Sequence, residues 1–182
     1  MSGAMIVAEE ARPVDRDGEE GQAVHHPPEP EPGLDFPLVE LFFFAYRDFI
    51  ADADEVLAQY HFGRAHHRVL HFVNRQPGLA VAQLLDILKI TKQSLGPVLR
   101  QLVDAGFLVQ VPRREDRRQR LLYPTQKGRN LSIELTHIQS RRIKAAIESL
   151  PNRDRDTVRT FLFNMIERDE RAMVDALMAQ DR

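Results

Sequence analysis

VAQLLDILKITKQSLGPVLRQLVDAGFLVQVPRREDRRQRLLYPTQKGRNL, residues 81–131, sets the architecture of this 182-residue chain. Its first half reads as two short helices, Val81–Leu88 and Thr91–Ala105, separated by Lys89-Ile90. In the second, Leu95, Val98, Leu99 and Leu102 recur at core spacing, while Lys92, Gln93, Ser94, Gly96, Arg100 and Gln101 are polar or small. One face therefore packs and the other stays free. Gly106 closes that helix as the residue just past its end. Two apolar runs follow, residues 107–111 and 120–124, and both read as short strands. The charged segment PRREDRRQ between them, residues 112–119, is a hairpin tip. Two helices in tight succession followed by a basic hairpin make a winged helix-turn-helix.

The chemistry of that stretch suits duplex DNA. Thr91 is placed to cap the second helix and leave N–H groups free near phosphate. Lys92, Gln93 and Ser94 stand at the end of the helix where base edges are usually met. Arg100 lies two turns on, with Gly96 and Gln101 beside it. Arg113, Arg114, Arg117, Arg118 and Arg120 crowd the hairpin, and arginines in such number suit phosphates or a narrow minor groove. A charge run alone reads as a solvated face. Placed directly after a helix-turn-helix it reads as a nucleic-acid contact. Proline at 97 removes a backbone donor, so a kink or a tight first turn is expected there.

Outward from this core the chain is helical. Leu38, Leu41, Phe42, Ala45, Phe49, Val56 and Leu57 repeat at helical spacing between Asp35, a plausible cap, and Ala58. Phe43, Phe44 and Tyr46 make this helix apolar on more than one face, so a partner subunit is its natural cover. A second helix covers 64–74 and ends at QPG. Beyond the hairpin, Thr125–Ser149 forms a helix with Leu131, Leu135, Ile138 and Ile147 inward. Pro151 breaks it, and Asn152 is read as the cap of one last helix carrying Val158, Phe161, Leu162, Met165, Met173 and Leu177. The fold class is mainly α with one β-hairpin wing.

Charge sharpens the reading. The net charge is −2, yet residues 1–37 alone hold nine acids and two arginines. Residues 91–120 hold seven bases and three acids, so a mildly acidic whole conceals a basic patch. Residues 1–34 hold five of the 11 prolines and few apolar side chains, which reads as a disordered acidic arm. With no cysteine, disulfides, thiolate metal sites and thiol catalysis are excluded. No apolar run reaches the ~20 residues that span a bilayer, and the N-terminus has no signal-peptide pattern. A cytoplasmic protein is expected. Glycine-rich phosphate loops and nucleophile elbows are absent, so an enzyme is not expected.

The motifs together resemble the MarR family of transcriptional regulators over about residues 38–178. Asp116 and Arg118 match the D-x-R wing of that family, and Thr125 and Gly128 its threonine-x-x-glycine entry to the following helix. The resemblance implies a homodimer with interlocked terminal helices, a palindromic operator, and repression relieved by a small, often aromatic, ligand. It also implies that Asp116 orients basic side chains while Arg118 contacts DNA. On this reading residues 61–126 are the DNA-binding domain, and 35–60 with 127–182 the dimerisation region. Phe44, Tyr46, Arg64, His66 and His67 are candidate walls of a cleft for an aromatic acid effector. No cofactor is expected. Two alternatives stay open: a zinc-responsive regulator using histidines of the 61–71 stretch, where His67 and His71 share a helix face, and a winged-helix protein adaptor.

Overall fold

The computed structural model describes residues 32–179. The acidic arm read over 1–34 lies outside them but for its last three residues. Seven helices and three strands occur among the described residues, in the order α1 (Phe36–Ala58), α2 (Arg64–Arg75), β1 (Leu79–Ala80), α3 (Val81–Leu88), α4 (Lys92–Asp104), β2 (Leu108–Pro112), β3 (Arg120–Pro124), α5 (Gln126–Glu148), α6 (Arg155–Asn164) and α7 (Arg171–Met178). The mainly helical class with a β wing is as the sequence predicts.

The core gathers one stripe from each helix of the central region. Ala53 and Leu57 of α1, Val69, Leu70 and Val73 of α2, Leu84 and Leu88 of α3, and Leu95, Leu99 and Leu102 of α4 close on Phe107, Leu108, Leu122, Leu131 and Leu135. Spacings of three and four put each set on one side of its helix. Buried leucines at this density contribute about 1.5–3 kcal/mol each, so this cluster holds the winged unit together.

Two elements differ from the sequence expectation. The wing is not a lone hairpin: Leu79 and Ala80 pair antiparallel with Leu122 and Leu121, giving a three-stranded sheet in the order β1-β3-β2. Two residues are too few for any alternation to show, and the pairing is set by the N–H of Gly78 donating to Leu122 O at 2.8 Å. The last helix is two. After the turn at Pro151-Asn152, where Arg153 adopts a left-handed φ of 49°, the cap is Asp154, not Asn152. Asp154 Oδ1 accepts from the N–H of Thr157 at 2.9 Å. The break between α6 and α7 has neither glycine nor proline. It is held by Arg171, whose guanidinium donates to the carbonyls of Ile166 at 2.9 Å and Asn164 at 2.7 Å. Pro97 lies inside α4, which is α-helical from Lys92 to Asp104. Leu95, Leu99 and Leu102 anchor both sides of the proline, and the donor it lacks frees only the carbonyl of Gln93 on the exposed face.

Around the basic region the joints are specific. Gly106, at φ 74°, ends α4 with two bonds: its own N–H to Val103 O at 3.0 Å and that of Phe107 to Leu102 O at 2.8 Å. Thr125 Oγ1 then donates to Gly106 O at 2.7 Å and accepts from the N–H of Gly128 at 3.1 Å. The first turn of α5 is thereby locked against the start of β2. A Cβ on Gly128 would stand 2.0 Å from Phe107 O, so glycine is there for lack of room. This is the physical content of the threonine-x-x-glycine motif.

Candidate nucleic-acid interface

α4 presents its polar face to solvent. Lys92, Gln93, Ser94, Gly96, Pro97, Arg100 and Gln101 are exposed, while Leu95, Leu99 and Leu102 are buried. Thr91 is the cap, as its position predicts: its Oγ1 accepts from the N–H of Ser94 at 3.2 Å and lies 3.0 Å from Ser94 Oγ. The first intrahelical bond runs from the N–H of Leu95 to Thr91 O. The N–H groups of Lys92 and Gln93 therefore point out of the helix N-terminus, where the macrodipole also favours an anion.

The wing stands beside it. Asp116 Oδ1 accepts from the N–H of Arg118 at 3.0 Å, and the N–H of Gln119 donates to Asp116 O at 2.9 Å. Asp116 thus folds the tip backbone; no side-chain contact to a wing arginine is seen for it among the described residues. Arg113 is held within the wing, with Nε 3.2 Å from Glu115 Oε2 and a second nitrogen 3.2 Å from Gln119 Oε1. A backbone hydrogen bond, and then Arg113, hold the Glu115 carboxyl below its ordinary range. Among the described residues Arg114, Arg117, Arg118 and Arg120 have no acidic partner within ion-pair reach, and all four are exposed.

Between these elements lies a recess of about 590 Å³. The start of α3, the face of α4 and the wing all line it, bringing together Lys92, Gly96, Arg113, Arg118 and Arg120. Three glutamines not among the sequence-predicted site residues also line it, Gln83, Gln110 and Gln119. Gln83 Oε1 accepts from the N–H of Ala80 at 3.0 Å, so it caps α3 from the third helical position, a spacing legible in the sequence. Two like-sign arrays on adjacent elements, largely without counter-charge, create a local positive field.

Gln101 is placed differently from its neighbours. Its Oε1 lies 2.6 Å from His66 Nε2. His66 is 8% exposed, stacks on Phe62 with centroids 4.6 Å apart, and accepts at Nδ1 from the N–H of Gly63 at 3.1 Å. That bond puts the ring proton on Nε2, so His66 donates to Gln101. His66 is accordingly a joint between the start of α2 and α4, with both ring nitrogens occupied. The other candidate walls are dispersed. Arg64 Nε pairs with Asp54 at 3.0 Å, and Phe44 and Tyr46, 53% and 52% exposed, lie ten and eight residues earlier on the same helix. At 1.5 Å per residue they stand about 15 and 12 Å from Asp54 along its axis. Within the single chain the five do not come together. His67 is half-buried, and burial lowers its pKa, with His71 lowering it further and Asp54 opposing. Among the described residues no group of three or more His, Asp and Glu is arranged to hold a metal ion, and no helix is long and apolar enough to cross a membrane.

Comparison with known proteins converges on this region. Residues 62–119 match the MarR family. Over 108 residues the chain is 50% identical to the HTH-type transcriptional regulator PetP of Rhodobacter capsulatus, an alignment covering 59% of this chain and 65% of that relative, less than two thirds of its length. A MarR transcriptional regulator from Methanosarcina mazei Go1 superposes with a TM-score of 0.60 at 24% identity, covering 72% of this chain and 89% of that one. A putative MarR family regulator from Listeria monocytogenes, solved in complex with a 26mer DNA, superposes with a TM-score of 0.63 at 16% identity, covering 80% and 93%. These structural likenesses are likenesses of fold.

Proposed function

On the premise that residues 62–119 carry the winged helix-turn-helix of the MarR family, we propose that this chain is a sequence-specific, duplex-DNA-binding transcriptional regulator that represses by occupying its operator. The observation that carries this is the joint surface of α4 and the wing: Lys92, Gln93 and Arg100 on one side, and four arginines without acidic partners on the other. α4 enters the major groove and reads base edges with its N-terminal residues, while the wing arginines take phosphates or the minor groove. Residues 61–126 form the DNA-binding part. Residues 35–60 with 127–182 form the dimerisation region. A homodimer supplies two such surfaces to a palindrome, with half-sites about 34 Å apart. The protein acts in the cytoplasm by binding alone, without catalysis or a cofactor.

The 108-residue likeness to PetP and the MarR-family match over residues 62–119 support regulation of transcription; the basic surface disfavours an adaptor that has given up DNA. An aromatic carboxylate is the effector class that suits Arg64 and His67 on α2, with the aromatic side chains of α1 brought near by a partner protomer. The deciding experiment is a salt titration of binding to random-sequence duplex. Apparent affinity should fall steeply with salt, as counterion release from several phosphate contacts requires. Affinity that does not change between low and high salt would reject the reading.

A further inference from the structure

Resting on the DNA-binding reading, we infer that Pro97 is a specificity-determining residue, and that the base it reads is thymine, through the C5 methyl group. Gln93, Pro97, Arg100 and Asp104 are spaced i, i+4, i+7 and i+11, which puts them on one side of α4, opposite the buried Leu95, Leu99 and Leu102. All four are exposed. Pro97 therefore occupies the middle of the outward face, one turn beyond Gln93 and one before Arg100.

Its chemistry there is unlike that of its neighbours. The pyrrolidine ring is apolar, carries no side-chain donor or acceptor, and has no N–H. A hydrogen-bonding base edge pressed against it loses water without gaining a partner, which costs free energy. Of the major-groove edges only thymine presents a methyl group, the one feature an apolar ring complements. Gly96 leaves the approach open, since a Cβ there would meet nothing within 4 Å. The same proline leaves the carbonyl of Gln93 without its helical donor, and the ring itself is the apolar contact of the face. Helix propensity argues strongly against proline six residues into a helix. An uninterrupted α4 built around it points to a use on the exposed side, because the buried side is satisfied by leucines alone.

The test uses the full chain and a duplex enriched from a random-sequence library by binding to it. Each thymine of that duplex is replaced in turn by deoxyuridine, which removes only the methyl group. The wild type should lose about fourfold in affinity at one thymine in each half-site, the worth of one buried methyl. Pro97→Gln, a good helix former with a polar side chain, should show no loss at that position and should no longer prefer thymine there when selection is repeated. Pro97→Ala, which keeps a smaller apolar surface and restores the donor, should show a loss under twofold; far-UV circular dichroism establishes that both variants are folded. A wild type indifferent to every methyl, or a Pro97→Gln variant as sensitive as the wild type at the same thymine, overturns the inference while leaving DNA binding in place. Failure to enrich any sequence overturns the DNA-reading premise and the inference together.

Discussion

Two residues show how a single atom's worth of space or charge is used. Gly128 lies buried in the first turn of α5 with its α-carbon facing Phe107 O. Alanine at an ordinary helix position gains about 1 kcal/mol over glycine. Here a methyl group 2.0 Å from a backbone oxygen must displace β2 or α5, a strain of at least ~2 kcal/mol that reverses the sign. Gly128→Ala should lower the urea midpoint of the whole chain; a midpoint equal to or above that of the wild type would show that α5 yields freely. Arg118 is the second case. It lines the recess beside Lys92 and has its backbone N–H fixed by Asp116, while its guanidinium has no acidic partner among the described residues. Arg118→Ala should weaken binding to specific and random duplexes alike by about 1–3 kcal/mol and lower the salt slope by roughly one per protomer. Unaltered binding at both low and high salt would take Arg118 out of the interface.

At the scale of the element, α2 joins α4 to the rest. His66 couples it to Gln101 of α4, and half-buried His67 lies near His71 and Asp54. Because burial, seconded by His71, holds the pKa of His67 below the ordinary value of 6.5, the native state takes up fewer protons than the unfolded chain as pH falls toward and below that value. The stability this neutral imidazole contributes is complete above pH 6.5 and is lost as the pH drops through the lowered pKa. Urea unfolding of the wild type and of His67→Gln, followed from pH 7.5 down to 5.5, should therefore show the steeper decline in the wild type. Parallel curves for the two proteins would assign the acid sensitivity to other groups.

For the whole molecule the decisive feature is apolar surface left uncovered among the described residues. Leu38, Leu41, Phe42 and Phe43 in the first half of α1, and Phe161, Leu162 and Met165 at the end of α6, are all exposed. Neither α6 nor α7 has a buried residue. Patches of this extent mark an interface in a soluble protein, and two separate terminal elements that each need cover are well served by a second copy of the chain. Sedimentation should give a dimer for the full chain, and a chain ending before Val158 should aggregate or fail to fold. A soluble, folded monomer from that truncation would contradict the dimer.

Most of the winged unit was legible in the sequence because its signals are local. Helices α2 to α5 and both long strands fall within a residue or two of where periodicity, Thr91, Gly106 and Thr125 place them, since a cap or a left-handed glycine acts on the backbone beside it. The basic run of the wing was equally plain, charge being a property of the residues themselves. Tertiary structure decided what depends on residues far apart in the chain. The third strand exists only because Leu122 offers Leu79 a partner 43 positions away. His66 joins α2 to α4 because Gln101, 35 positions on, meets its Nε2. The α6–α7 break follows from Arg171 reaching back to carbonyls that no pattern marks. Short pairings and single side-chain bonds leave no period in a sequence; they are set by which surfaces the buried leucines bring into contact.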